Sequence, residues 1–313
     1  MSKKTIALVG GTGDLGTLIG HALLDKPDVQ LRLLVRPGSR KKAAGLEARG
    51  AQVVEGTLDA DAGEALAALC NGAWAVVSAV QGSPNVFTDG QTRLLEAARE
   101  AGVRRFIPSD YTMNIFGLSP GESRPADVLR AFDRHAQEER GDVEVVHVLN
   151  GAFLDERVLF GFLGAIDLEK REAYLWGEGD EKMDFTTYAD TAAYTAEVAV
   201  DERAVPERFF VAGESLTFHE LVHEVEAGLD GTLTIKERGS LADLDAEIDR
   251  RMEEDPEAWQ SWLPLMYWRA MLNGKGKLEP LQNDRYPSVD PTGVRAYVER
   301  MGADGDAPPQ QES

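Results

Sequence analysis

Through residues 1–150, short runs of β-branched and aliphatic residues alternate with longer stretches whose apolar positions recur every three or four residues. The runs Thr5 to Val9, Gln30 to Val35, Gln52 to Glu55, Trp74 to Ser78, Arg105 to Pro108 and Glu144 to Leu149 lack polar alternation, as strands covered on both faces require. Between them, Leu15 to Leu24, Ser39 to Arg49, Asp61 to Leu69, Phe87 to Ala101 and Asp127 to Glu139 predict helices. Strict alternation of strand and helix implies right-handed crossovers, so the expected fold class is α/β, a doubly wound parallel sheet.

After residue 150 the rhythm changes. Phe153 to Ile166 is apolar and interrupted by glycine, Tyr188 to Val200 is an Ala-rich helix, and Phe209 to Val211 is a short strand. Phe218 to Ala227, Leu241 to Met252 and Trp259 to Leu272 predict further helices, with a strand at Thr232 to Lys236. These pieces neither repeat nor alternate cleanly, which suggests a smaller α+β substrate lobe over 151–302, resting on the sheet's carboxyl edge. The tail 303–313, with two Pro, two Gln and no apolar period, is expected to be disordered.

Charge narrows the function classes. The 54 acidic and 33 basic residues leave a formal net charge of −21, a field that repels phosphate backbones and anionic lipid heads. Nucleic acid and membranes are therefore not expected as partners. Only ten of the 33 basic residues are Lys, a Lys-poor acidic balance that suits a salt-rich cytoplasm. The one cysteine, Cys70, lies in an apolar helical stretch and reads as an inert packed thiol in a reducing compartment. Neither the four-residue apolar run Ile6 to Val9 nor any later run matches a signal peptide or a membrane span, so a cytoplasmic protein is expected.

The chemistry starts where the first strand runs into Gly10-Gly11-Thr12-Gly13-Asp14-Leu15-Gly16 and opens a helix. In a dinucleotide-binding turn of the Rossmann type, the first glycine makes the tight turn. The second lets a pyrophosphate approach, and the third lets helix and strand pack closely. A plain tight turn is the alternative, but strand and helix flank the glycines as the motif demands. The second strand ends not in an acid but in Arg36, followed by Ser39, Arg40, Lys41 and Lys42, a set that suits a ribose 2′-phosphate and hence NADP(H). A solvated basic helix start is the competing reading. Ser78, Ala79 and Val80 end the fourth strand at the same edge, where small residues let a cofactor ribose pass or simply pack.

The chain resembles the atypical short-chain dehydrogenase/reductases of the NmrA-like and isoflavone-reductase-like group. The carrying segments are the turn from Gly10 to Gly16, Val35-Arg36, the run from Gly102 through Pro108-Ser109-Asp110-Tyr111, and Asn150-Gly151-Ala152-Phe153. Thr217 to Leu221 and Asn283 to Pro287 extend the likeness into the second lobe. The resemblance implies NADPH along the sheet edge, with Pro108, Ser109, Asn150 and Phe153 beside it, and a small-molecule substrate between the lobes. It also implies a lysine, in the helix after the Pro-Ser-acid-aromatic segment, that assists hydride transfer. Here that helix, Val128 to Gln137, has none, and no Tyr-x-x-x-Lys pair replaces it.

His135, which titrates near neutrality, and Tyr111, at the mouth of the fifth strand, are the catalytic candidates. His135 could equally be a polar position on an amphipathic helix, and Tyr111 a cover over the nicotinamide. Arg130 or Arg134 would stabilise negative charge without supplying a proton, or would form surface ion pairs. Tyr111, Phe153, Phe160 and Trp176, with Phe162 and Tyr188, would line an apolar substrate pocket or build core. His219-Glu220-x-x-His223 matches a zinc-protease helix in spacing. A zinc site would need a third ligand from elsewhere and a cleft over the helix. This helix instead follows a complete dinucleotide half and aligns with an ordinary lobe helix of the resembling family, so no metal is expected. The expected function is reduction of a small carbonyl, quinone or activated double bond by NADPH. The rival is a non-catalytic regulator that binds NADP(H) and signals to a protein partner.

Overall fold

The computed structural model describes residues 3–305. Strands β1 (Lys4–Val9), β2 (Val29–Val35), β3 (Gln52–Glu55), β4 (Ala75–Ser78), β5 (Arg105–Ile107) and β6 (Glu144–Val145) form one parallel sheet in the order β3-β2-β1-β4-β5-β6. The order reverses between β1 and β4, which opens a crevice at the carboxyl edge there. Helices α1 (Asp14–Leu24), α2 (Ala44–Ala48), α3 (Gly63–Cys70), α4 (Gln91–Glu100) and α5 (Arg124–Glu139) provide the crossovers. β1 and β4 are buried on both faces: Ile6 and Leu8 face one core with Ile19 and Leu23, while Ala7 and Val9 face another with Leu66, Leu95, Phe106 and Phe132. β2 and the edge strand β3 depart from the expectation of two covered faces: Gln30 and Arg32 are half-exposed, and Gln52 and Glu55 are exposed because β3 has a neighbour on one side only. Cys70 lies in that second core, where burial pushes its thiol up to about 12.

The run predicted as one strand from Glu144 to Leu149 divides at Val146 because its partner changes. β6 pairs with β5, whereas β7 (His147–Leu149) pairs in parallel with a later strand. The helix predicted over Ser39 to Arg49 forms a tight turn, Arg40–Ala43, before the short α2, and α4 is preceded by a wide turn at Val86–Gly90.

Beyond residue 150 the strands are short: β8 (Ala152–Phe153), β9 (Ile166–Asp167), β10 (Glu172–Trp176), β11 (Met183–Thr186), β12 (Arg208–Phe210), β13 (Glu214–Leu216) and β14 (Thr234–Gly239). They build two three-stranded sheets, β14-β10-β9 and β13-β11-β8, while β12 is the partner of β7. The apolar stretch after Phe153 winds into a wide turn, Glu156–Phe162. The helices are α6 (Tyr188–Val200), α7 (Phe218–Leu229), α8 (Leu241–Glu254), α9 (Trp259–Leu272) and α10 (Val294–Gly305).

Although it follows residue 150, α6 packs with the first half: Ala192, Tyr194, Ala196 and Val198 share a core with Ile6, Leu8 and Ile19. Arg105 is fully buried in β5 because it ties the sheet to this helix, donating to the carbonyls of Val198 (2.5 Å) and Asp201 (2.7 Å) and to Glu144 (2.5 Å). The remaining lobe has its own core, including Leu154, Leu159, Phe185, Phe218, Val225, Trp268 and Val298. α10 takes in residues 303–305, which the sequence reading assigns to a disordered tail; the rest of that tail, 306–313, lies outside the described residues. Among the described residues no helix is long and apolar enough to cross a membrane.

Candidate functional site

The turn after β1 is shaped by backbone contact. Gly10 has φ +80°, and a Cβ on it would lie 2.2 Å from the Ala79 carbonyl oxygen. A Cβ on Gly16 would lie 2.0 Å from the Gly10 oxygen, so the first turn of α1 rests directly on the loop. Gly13 differs. It is the N-cap of α1 in an extended conformation, and its Cβ would meet only the Gly10 oxygen at an ordinary 3.5 Å. Protein packing thus requires glycine at 10 and 16 but leaves open space over 13. No side chain caps the amides that follow, Asp14, Leu15 and Gly16, and Leu15 turns inward onto the core. Thr12 is half-buried beside them. The Asp14 carboxylate is paired with Arg157 (2.8 Å), which reaches over from the Glu156–Phe162 turn of the second lobe.

At the end of β2, Arg36, Lys41 and Lys42 are exposed and have no ion-pair partner among the described residues, with Ser39 half-buried between them. Arg40 is committed to Glu47 (2.8 Å) on the exposed surface. The cationic patch is therefore real, but one of its four charges is already matched.

Along the carboxyl edge, the Ser109 hydroxyl donates to the Val80 carbonyl (2.9 Å), and the Ser109 amide donates to Gln91 Oε1 (2.7 Å). Pro108 is buried behind them. Asn150 is fully buried: its amide donates to the Thr112 carbonyl (3.0 Å) and its carbonyl accepts from Thr186 Oγ1 (2.6 Å). Both polar atoms of its side chain nevertheless lack partners, as do Ser78 Oγ and Asp110 Oδ1. Buried polar groups are normally satisfied, so this collection of orphaned atoms at one edge marks the place where a polar ligand or ordered water completes the site.

Tyr111 follows directly. Its hydroxyl faces Thr195 on α6 without the alignment of a full hydrogen bond. Burial first, and then the charge of Asp110, push the phenol above its ordinary range, so it holds its proton.

The other candidates separate. His135 lies about 16 Å along α5 from the helix start, given 1.5 Å per residue, and α5 runs away from the carboxyl edge. It is half-buried with Nε2 unpartnered, and the structure does not bring it to Tyr111. Arg130 is spent on the loop before α5, donating to the carbonyls of Ile115 (2.9 Å), Leu118 and Ser119 (3.1 Å) and to Asp127. Of the aromatics, Phe153 stacks on Tyr188 at 4.2 Å beside the edge. Phe160 and Trp176 pack on the second-lobe core, and Phe162 meets Tyr267 edge-on at 6.0 Å. The His219 to His223 segment has structural work: Glu220 closes a capping box with Thr217, and His219 Nε2 lies 3.0 Å from the Glu178 carbonyl oxygen.

Sequence reasoning missed one cluster. His147 is fully buried, with Nδ1 2.5 Å from Asp110 Oδ2 and Nε2 3.1 Å from Asp133 Oδ1. Burial alone would depress the imidazole, but the two carboxylates outweigh it and hold it up at about 9. Burial likewise works to raise Asp133, yet contact with His147 keeps it below the usual carboxylate range. The three residues lie 23 and 14 positions apart in the chain, and no local periodicity connects them; only the fold places the loop after β5, β7 and α5 side by side.

Residues 2–123 match the model of the NmrA-like family. An NmrA-like family domain-containing oxidoreductase of Gibberella moniliformis is 28% identical over 231 residues, covering 70% of this chain and 75% of that protein. Among solved structures, an isoflavone reductase superposes with a TM-score of 0.79 at 19% identity, covering 96% of this chain and all of the other. The complex of leucoanthocyanidin reductase with NADPH from Vitis vinifera superposes with a TM-score of 0.76 at 21% identity, covering 94% and 99%.

Proposed function

For a chain whose residues 2–123 belong to the NmrA-like family and whose whole length has the fold of the isoflavone-reductase-like proteins, we propose an NADPH-dependent reductase of small organic molecules. Its substrate would be a carbonyl, a quinone or an activated double bond. The observation that carries this reading is the glycine turn, where protein packing explains Gly10 and Gly16 but not Gly13. A glycine with free space above it, at the uncapped start of a helix, suits the approach of a pyrophosphate.

The residues present fit the cofactor. Gly10 to Gly16 would hold the pyrophosphate, and Arg36 with Ser39 and Lys41 would hold a 2′-phosphate. Ser78, Ala79, Ser109, Asn150 and Phe153 would flank the nicotinamide end. When bound, NADPH supplies a hydride. Phe153 with Tyr188 offers a flat apolar wall, while the Tyr111 hydroxyl, buried against Thr195 of α6, lies behind the edge rather than in the cleft. Binding of NADPH by a relative of the same fold supports the choice of cofactor.

A second reading has one observation in its favour. α5 contains no lysine, Arg130 is consumed by loop carbonyls, and His135 is remote, so neither of these two takes the place of the family's usual cation. On that reading the chain binds NADP(H) without consuming it and signals to a protein partner. Titration of nicotinamide fluorescence with NADPH and NADH, followed by a panel of quinones, enones and aromatic aldehydes, separates the two. Preferential NADPH binding with consumption by an acceptor supports the reductase. Binding without consumption supports the regulator, and absence of binding contradicts both.

A further inference from the structure

We propose that His147 is a positioning residue for the nicotinamide end of the cleft: bridging Asp110 to Asp133, it fixes the Ser109 to Tyr111 segment at the carboxyl edge. The proposal rests on the NADPH-binding function above and assigns work to a cluster outside it. Asp110 stands between Ser109, which is fastened to Val80 and Gln91, and Tyr111, whose ring packs on the α6 core with its hydroxyl facing Thr195. Its Oδ2 has one partner in the protein, the His147 ring at 2.5 Å, and its Oδ1 has none.

The ring's protonation follows from its neighbours. Nδ1 is hydrogen-bonded to Asp110, and Asp133 Oδ1 lies 3.1 Å from Nε2 without full hydrogen-bond alignment; carboxylates beside both nitrogens favour the imidazolium. A neutral ring would turn a lone pair toward one of them and lose that contact. The charged groups facing the cluster are Asp110 from the loop after β5, Asp133 from α5, and Arg208 from β12 beside Asp133. Gln137 also donates to Asp133 (3.3 Å). Phe116 closes the remaining side, its ring edge-on to His147 at 5.2 Å, with the Arg208 guanidinium 3.9 Å above the Phe116 ring. His147 and Asp110 are fully buried, while Asp133 and Arg208 connect the cluster to the surface.

The test uses the full chain, its Asp133→Asn variant, and His147→Gln to assign the ring resonance. Histidine Cε1–H signals and NADPH fluorescence titrations are recorded across the same alkaline series. In the wild-type chain the His147 signal is expected to titrate near pH 9, with NADPH affinity falling several-fold through that pH. With Asp133→Asn both transitions move down together by about one pH unit, because one of the opposite charges is gone. If the ring titration moves while the affinity profile stays in place, His147 is a structural residue and the proposal is overturned. If the wild-type chain binds no NADPH at any pH, the function proposed above fails, and this role fails with it.

Discussion

Helices α1 and α7 begin with nearly the same backbone and opposite chemistry. Gly13 (φ −93°, ψ 172°) and Thr217 (φ −67°, ψ 169°) are both extended N-caps. Thr217 accepts from the Glu220 amide, and Glu220 reaches back to the Thr217 amide, so α7 satisfies its own start. Gly13 has no side chain, and the amides at the start of α1 are left for something outside the chain. The contrast extends further. None of α1 to α5 has a side-chain cap bond, whereas α6, α7 and α8 are capped by Thr187, Thr217 and Ser240. α6, α7 and α8 close on themselves; α9, with Ala258 at its N-cap, does not. An N-terminus left open at the topological switch point is where an anion gains most.

Four changes break or sharpen this contrast. Gly16→Ala should do most damage, since the new Cβ meets the Gly10 oxygen at 2.0 Å; a loss of about 3 kcal/mol, read by thermal or urea unfolding, is expected for such overpacking. Arg36→Ala should leave folding intact and weaken NADPH about 10- to 100-fold, as for a lost charged hydrogen bond, with NADH unchanged. Equal weakening of both nucleotides would remove Arg36 from the 2′-phosphate.

The third change is in pH. The folded-state pKa of His147 is raised to about 9 from 6.5, so the stability it confers is present in full below about pH 6.5 and is lost as pH rises through about 9. The melting temperature of the wild-type chain should therefore fall across that window more steeply than that of His147→Gln. The smallest effect belongs to Thr217→Ala, which should cost about 1 kcal/mol of stability and leave NADPH affinity untouched.

Much of the sheet half is legible in the sequence because its central strands centre on apolar runs bounded by turn residues, as Ile6–Val9 in β1 and Ala75–Val77 in β4 show. The glycine turn is legible for the same reason: its requirements are local. The lobe after residue 150 is less so. β11 and β13 are four and three residues long, and they pair with each other across about thirty residues, so nothing nearby sets their boundaries. The pairing of α6 with α1 and the split of β6 from β7 likewise depend on contacts made only in the folded chain. At the site, Arg40 cannot be told from Arg36 in sequence, because the distinction lies in Glu47, one helical stretch later. His135 attracts notice as a histidine near the expected lysine helix, while His147 hides inside a strand.

The central claim is that the space above Gly13 belongs to a dinucleotide. The most direct measurement is the NADPH dissociation constant of Gly13→Ala beside the wild-type chain, with unfolding followed on the same samples. Because the added methyl meets nothing closer than 3.5 Å, the account predicts a folded protein of nearly unchanged stability whose NADPH affinity has dropped at least about tenfold. A folded variant that binds NADPH as tightly as the wild-type chain would contradict it.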